Sequence, residues 1–415
     1  MNKTEMLGLA EGYVKNSGYR IHTAAMDAGV KMFPQMFPFP EIEIGSGCRT
    51  KIPELLKKYG ISKVMIVTGP TVGKTIVPSI ADNITASGIS CVIFDRTEAN
   101  PSIQTVEEIK DMYITAGCNG FLAVGGGSPM DAAKVAAARI AKPRQEIGEM
   151  AGMMKILRPV PPIICVPTTA GTGSEVTIGA VISDHEKNHK YAITDPFITP
   201  KAAVIDAELT LGLPPFVTAT TGIDALTHAV ESYITRAYNT DFTNRCCEEA
   251  VVKIFRNIDR AYQSGSDLKA REQMIEASYK AGLAFTRTGV GYVHGIAHAM
   301  GGLYNTAHGL ANSVILPIVL EDYGDCVHEK LAHLAEITGV CTEGGNAAKA
   351  KAFIAAIRAM NARMGLPTGF DFIKSEDYNI ICKWALAEVN VNYPVPVLYD
   401  ERRLRHLLNR IVTEA

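Results

Sequence analysis

Missing from this 415-residue chain is any pair of cysteines at C-x-x-C spacing; its nine cysteines, an odd number, are scattered from Cys48 to Cys382. That distribution excludes a zinc ribbon or a disulfide scaffold and predicts reduced, mostly buried thiols in a cytoplasmic protein. A long apolar run is missing as well. No stretch reaches the ~20 residues of a membrane span, and Met1–Lys15 lacks the apolar centre of a secretory signal, so neither membrane insertion nor secretion is expected. Net charge is small, with 41 Lys and Arg against 43 Asp and Glu. That leaves no electrostatic footprint for nucleic acid or an anionic membrane and makes a small molecule the expected partner. Internal repeats, charge blocks and low-complexity linkers are also absent, while 47% hydrophobic residues is ordinary globular usage in a chain long enough for two or three domains.

What is present divides into three regions. Residues 1–40 form an N-terminal arm: an amphipathic stretch, Thr23–Val30, expected to be helical, then the run MFPQMFPFP, whose Pro34, Pro38 and Pro40 break any helix. Its apolar side chains pack along the arm's own domain or line a subunit contact, which makes a homodimer or higher homo-oligomer the expected assembly. From 41 to 212, short β-rich runs (63–68, 90–94, 120–124, 161–166, 203–206) alternate with helical ones, including one through Val106–Ala116, and Glu175–Asp195 reads as a β-hairpin about the turn Asp184–Asn188. This predicts an α/β domain, a parallel sheet wound with helices, with ligands at the carboxyl ends of the strands. Residues 213–415 show helical spacing only and predict an all-α bundle of about seven to nine helices.

Two glycine-bearing loops follow strands in the α/β region. Gly125-Gly126-Gly127-Ser128 opens a helix with Pro129 in its first turn, and such a helix start offers free N–H groups and the positive end of a dipole to a phosphate. It is not G-x-G-x-x-G, because Met130 stands in the third glycine's place, and a tight structural turn is the lesser, competing explanation. Thr168-Thr169-Ala170-Gly171-Thr172-Gly173-Ser174-Glu175 follows the next strand, and two such loops can grip both halves of a pyrophosphate. A third stretch, Gly69–Thr75, resembles a phosphate-binding P-loop but has three residues between its glycines where that loop has four, so an NTPase is rejected.

The second half concentrates its chemistry in two segments. Asp224 and His228 are four apart in TATTGIDALTHAVESYI, a predicted helix with threonines as its cap, and so share one face. Such a pair alone is more often a hydrogen bond than a metal site. His294, His298 and His308 are three of ten histidines gathered within fifteen residues of apolar, Gly-rich sequence. Buried imidazoles are costly unless something satisfies them together, and a divalent ion does so. Gly295 occupies the position of the glutamate in H-E-x-x-H, which excludes a zinc protease. One carboxylate with three imidazoles suits Fe(II) and Zn(II) alike and leaves room for a substrate oxygen.

In order and separation, GGGSPMDAAK, PTTAGTGSE, GIDALTHAVESYI and the HGIAH…HG pair resemble the iron-containing (group III) alcohol dehydrogenase family, which is similar in fold to dehydroquinate synthase and glycerol dehydrogenase. The resemblance runs from about Glu41 to at least Leu320. It implies a metal-dependent NAD(P) alcohol dehydrogenase or aldehyde reductase acting on small primary alcohols, diols or aldehydes. The metal, iron by this resemblance, would be held by Asp224, His228, His294 and His308, with His298 near substrate and nicotinamide as a proton relay. Cofactor positions would be Gly126, Gly127, Ser128 and Asp131, Thr168, Thr169 and Thr172, with Asn100, Val181 and Lys190 as further contacts; Lys190 reads equally as a solvated hairpin charge. After the first strand, where many NAD-preferring relatives carry an Asp that bonds the ribose, this chain has Gly69. Losing that carboxylate predicts that NADP is accepted, with Asp95 as the competing ribose partner that would favour NAD. Two alternatives use the same parts. A lyase or cyclase of the dehydroquinate-synthase kind would want basic residues beside the histidines, and His294–His308 has none; a non-catalytic nucleotide or metal sensor would bind without turnover.

Overall fold

A computed structural model describes residues 16–20, 38–186 and 189–413. The expected helix at 23–30, Pro34, and Lys187 and Asn188 of the hairpin turn lie outside the described residues. Residues 16–20 are helical, and the Arg20 guanidinium donates to the carbonyls of Val395 and Pro396 at 2.9 and 3.2 Å.

The N-terminal part contains strands β1 (Glu41–Ile44), β2 (Lys63–Val67), β3 (Ser90–Phe94), β4 (Gly120–Gly125), β5 (Gly152–Met153), β6 (Ile163–Pro167), β7 (Gly179–Asp184), β8 (His189–Thr194) and β9 (Ala202–Ile205). Its helices are α1 (Ile52–Lys58), α2 (Pro70–Thr75), α3 (Val77–Ala86), α4 (Ile103–Ala116) and α5 (Gly127–Ala141). Six strands form a parallel sheet in the order β1-β9-β6-β4-β2-β3. Alternation along a strand explains its two cores: Val64 and Ile66 of β2 pack on one side, Met65 and Val67 on the other. The central strands β4 and β6 are buried throughout, as expected of a sheet covered on both faces. β7 and β8 form the expected antiparallel hairpin, with Ser183 opposite Lys190, and β5 adds a parallel edge to it. Neither β1 nor β5 was visible in the sequence; both are short and lack an apolar run.

The C-terminal part is all-helical, with nine helices among the described residues: α6 (Pro215–Ile234), α7 (Asp241–Gln263), α8 (Leu268–Thr288), α9 (Tyr292–Tyr304), α10 (His308–Tyr323), α11 (Asp325–Thr338), α12 (Asn346–Arg363), α13 (Tyr378–Asn392) and α14 (Glu401–Ile411). Its core takes in Ala203 and Ile205 of β9, so the helices pack against the sheet through that strand. The start of α6 corrects the expected threonine cap. Pro215 is its first residue, pre-set in φ and without an N–H to satisfy, and the threonines sit inside the helix, where Thr220 and Thr221 bond back to the Phe216 and Val217 carbonyls. None of the helices is long and apolar enough to cross a membrane among the described residues, and all nine cysteines are free.

Candidate metal centre and nucleotide loops

α6 is the central helix of the second part, with sixteen of its twenty residues buried. It therefore carries Asp224 and His228 into the interior, one turn apart on one face. The left-handed residue Asn305 ends α9, and after a three-residue corner α10 begins at His308 itself. That corner folds His308 back toward His294 of α9. One ligand atom from each of Asp224, His228, His294 and His308 lies within 4.8 Å of all the others. His308 Nε2 is 3.5 Å and His294 Nε2 4.0 Å from Asp224 Oδ1. The His228 ring stacks on Phe285 with centroids 4.1 Å apart.

Burial governs the electrostatics of this cluster. It pushes the Asp224 carboxyl up, partly offset by His228 and a hydrogen bond from Asn312. His294 and His308 are held well below the usual imidazole range by burial, reinforced by the neighbouring histidines. The imidazoles are therefore neutral, the form that donates a lone pair, and the donor set fits a divalent cation that would repay the cost of burying it. Three supporting residues escaped the sequence reading. Glu231, two turns after Asp224 on the same helix, meets His294 Nδ1 at 2.6 Å and accepts the Val293 N–H at 2.9 Å; burial pushes its carboxyl up to about 8. This bond directs the other ring nitrogen, Nε2, to the cluster. Asn312, one turn into α10, donates to Asp224 Oδ1 at 2.7 Å. Glu388 of α13 lies 2.9 Å from Nδ1 of His298, whose ring is stacked on His308 at 5.2 Å.

The two glycine loops meet at the carboxyl ends of β4 and β6. A Cβ on Gly127, the first residue of α5, would lie 2.8 Å from Thr172 Cγ2 and force a shift, and one on Gly126 would lie 3.2 Å from Thr169 Oγ1, so the glycines let the two loops approach closely. Ser128, Thr169 and Thr172 are partly exposed there, while Thr168 is buried. Asp131 serves the protein's own architecture: its carboxylate accepts the Ser174 hydroxyl at 2.7 Å and the Val181 N–H at 3.0 Å, tying the second loop and the hairpin to α5. Lys134, one turn later, is a further residue missed from sequence. It is fully buried and donates to the carbonyls of Ser174, Thr177 and Gly179 and to the Ser174 and Thr177 hydroxyls, between 2.6 and 3.1 Å.

Lys190 is not a solvated hairpin charge. Burial lowers it to about 8, its ammonium donates to Asn100 Oδ1 at 2.8 Å, and Asn100 in turn donates to Asn305 Oδ1 at 2.9 Å. Its charge is felt by His308. Asn100 and Lys190 thus join the sheet, the hairpin and α9 beside the histidines. Gly69 lies apart from them, at the end of β2, where an added Cβ would come 3.1 Å from the Thr97 carbonyl oxygen.

Residues 40–207 match the family described as iron-containing alcohol dehydrogenase, and residues 218–412 match the C-terminal part of the same family. The chain belongs to the iron-containing alcohol dehydrogenase family. It is 35% identical over 352 residues to a lactaldehyde reductase of Escherichia coli, covering 83% of this chain and 91% of that one. It is also 35% identical over 354 residues to an NAD-dependent methanol dehydrogenase of Bacillus methanolicus, covering 84% and 92%. The crystal structure of a 1,3-propanediol oxidoreductase superposes with a TM-score of 0.86 at 33% identity, covering 90% of this chain and 99% of that one. This iron-containing alcohol dehydrogenase has the dehydroquinate-synthase-like fold and is an NAD-linked, metal-dependent alcohol dehydrogenase or aldehyde reductase. The lyase and sensor alternatives fall away with that membership.

Proposed function

We propose that this enzyme interconverts short primary alcohols or diols with their aldehydes, using a divalent ion held by Asp224, His228, His294 and His308 and a nicotinamide dinucleotide held by the two glycine loops. The observation that carries the reading is the buried convergence of those four donors within 4.8 Å, beside Lys190 and the hairpin. When bound, the ion supplies Lewis acidity toward the substrate oxygen and the nicotinamide accepts or gives the hydride. The chain supplies the rest. Asp224 contributes the one negative charge, Glu231 orients His294, and His298 takes the hydroxyl proton in oxidation and returns it in reduction. Gly126, Gly127, Ser128, Thr168, Thr169 and Thr172 cradle the pyrophosphate, with Asn100, Val181 and Lys190 along the dinucleotide, while Asp131 acts by anchoring Ser174 and Val181.

Iron is our first choice of metal, and the same donors suit zinc. The names of the relatives, a lactaldehyde reductase and a 1,3-propanediol dehydrogenase, favour short aldehydes and diols here. Gly69 favours acceptance of NADP as well as NAD, so Gly69→Asp should lower the ratio of NADPH to NADH kcat/KM at least tenfold; an unchanged ratio would contradict the assignment of that position. We also place the domain division at 212/213 and expect a cytoplasmic homodimer or higher homo-oligomer, for which the free cysteines and the unpaired edge of β1 among the described residues speak. The test is anaerobic reconstitution with Fe(II) or Zn(II), following nicotinamide absorbance with NADH and NADPH over short aldehydes. Metal-dependent oxidation of reduced cofactor is expected; cofactor binding without redox change under either metal would sink the reading.

A further inference from the structure

α9 and α13 come close because Gly295 has no side chain: a Cβ there would overlap Val389 Cγ2. The position that argued against a zinc protease thus has its own packing reason. The close approach seats Glu388, the neighbour of Val389, against His298. Glu388 Oε1 lies 2.9 Å from His298 Nδ1 and accepts the Tyr393 hydroxyl at 3.1 Å. Burial keeps Tyr393 protonated well beyond the ordinary phenol range, so its hydroxyl donates. Burial alone would raise the Glu388 carboxyl, but the charge of His298 and the hydrogen bonds from His298 and Tyr393 hold it below its ordinary value. An ionised carboxylate can only accept, so the proton of this bond sits on Nδ1, and whenever the ring carries a single proton its lone pair is on Nε2.

We propose that Glu388 is the positioning residue of the proton relay: it fixes His298 in the Nδ1–H tautomer, with Tyr393 steadying its carboxylate, so that Nε2 is the nitrogen that meets the substrate proton. In oxidation the alcohol O–H bond breaks and its proton passes to Nε2, giving an imidazolium that later releases it to solvent; in reduction the proton travels back. The assignment rests on the reading that His298 handles that proton. Glu388 lies ninety residues from His298 in sequence, so no local motif announces it.

The test pairs a tautomer measurement with kinetics. In the zinc-loaded protein, 15N-histidine NMR reports each ring's tautomer, and His298→Asn identifies the His298 signals. The Nδ1–H form is expected in the wild type and in Glu388→Gln, whose amide oxygen still accepts, and is expected to be lost in Glu388→Leu. In turnover, Glu388→Leu should lower kcat about 10²-fold with KM for the aldehyde changed less than about threefold, while Glu388→Gln keeps a fifth or more of the rate. A wild-type His298 with unprotonated Nδ1, a Glu388→Leu variant with undiminished kcat, or equal losses in both variants would overturn the proposal. A wild type that reduces no aldehyde would instead sink the functional reading, and the tautomer measurement would still decide whether Glu388 positions His298.

Discussion

Individual buried charges are where this chain carries its clearest pH dependence. Glu175 closes the second loop, is buried, and has an Oε1 with no hydrogen-bond partner among the described residues; burial pushes its carboxyl up to about 7. Between its ordinary value near 4.5 and about 7, the folded chain holds a proton that the unfolded chain has released, so stability falls as pH rises through that window. Glu175→Gln removes this dependence. Denaturant unfolding at pH 5 and pH 7.5 should show the variant gaining on the wild type by about 2–3 kcal/mol between the two; parallel curves would mean that Glu175 titrates normally. Lys134 illustrates the opposite solution. Its ammonium is surrounded by five acceptors, so Lys134→Met would strand them in the interior and cost about 3 kcal/mol by the same unfolding measurement. A loss below about 0.5 kcal/mol would show that those acceptors find other partners. In the sequence Lys134 is an ordinary helical lysine, and only the loop folded over it makes it a structural one.

Elements bring together what the sequence holds apart, and legibility follows from that. Five of the six strands of the sheet, the hairpin and the two loops were readable because alternation, apolar runs and glycine after a strand are local signals. Asp224 with His228, and His294 with His298, were readable for the same reason, since helical spacing places each pair on one face. Glu231 was within reach: it continues the Asp224 face, yet a glutamate in a helix reads as surface until α6 is known to be central. Glu388 and the Asn100–Lys190–Asn305 chain depend on which elements pack together, and β1 depends on pairing with β9. The loop contact supplies its own prediction. Gly127→Ala puts a methyl group against Thr172 where the backbone should approach a phosphate. KM for NADH should rise more than about tenfold, with metal content unchanged; an unaltered KM would remove the loop from the cofactor site.

At the scale of the whole molecule, the chemistry is divided between the two parts. In the proposed site the sheet and hairpin would contribute the glycine loops, Asn100 and Lys190, and the helices the four donors and His298, while a core that takes in Ala203 and Ile205 packs the helices against the sheet. The account stands or falls on those four donors acting as one metal site in an otherwise intact fold. The most direct measurement is metal content after anaerobic reconstitution with Fe(II) and gel filtration, for the wild type and for Asp224→Ala, with circular dichroism on both. The account predicts about one equivalent per wild-type chain and less than about a tenth of that in the variant at unchanged helicity, because losing the one carboxylate of the four donors removes the charge that holds the ion. Equal metal in both proteins would contradict it.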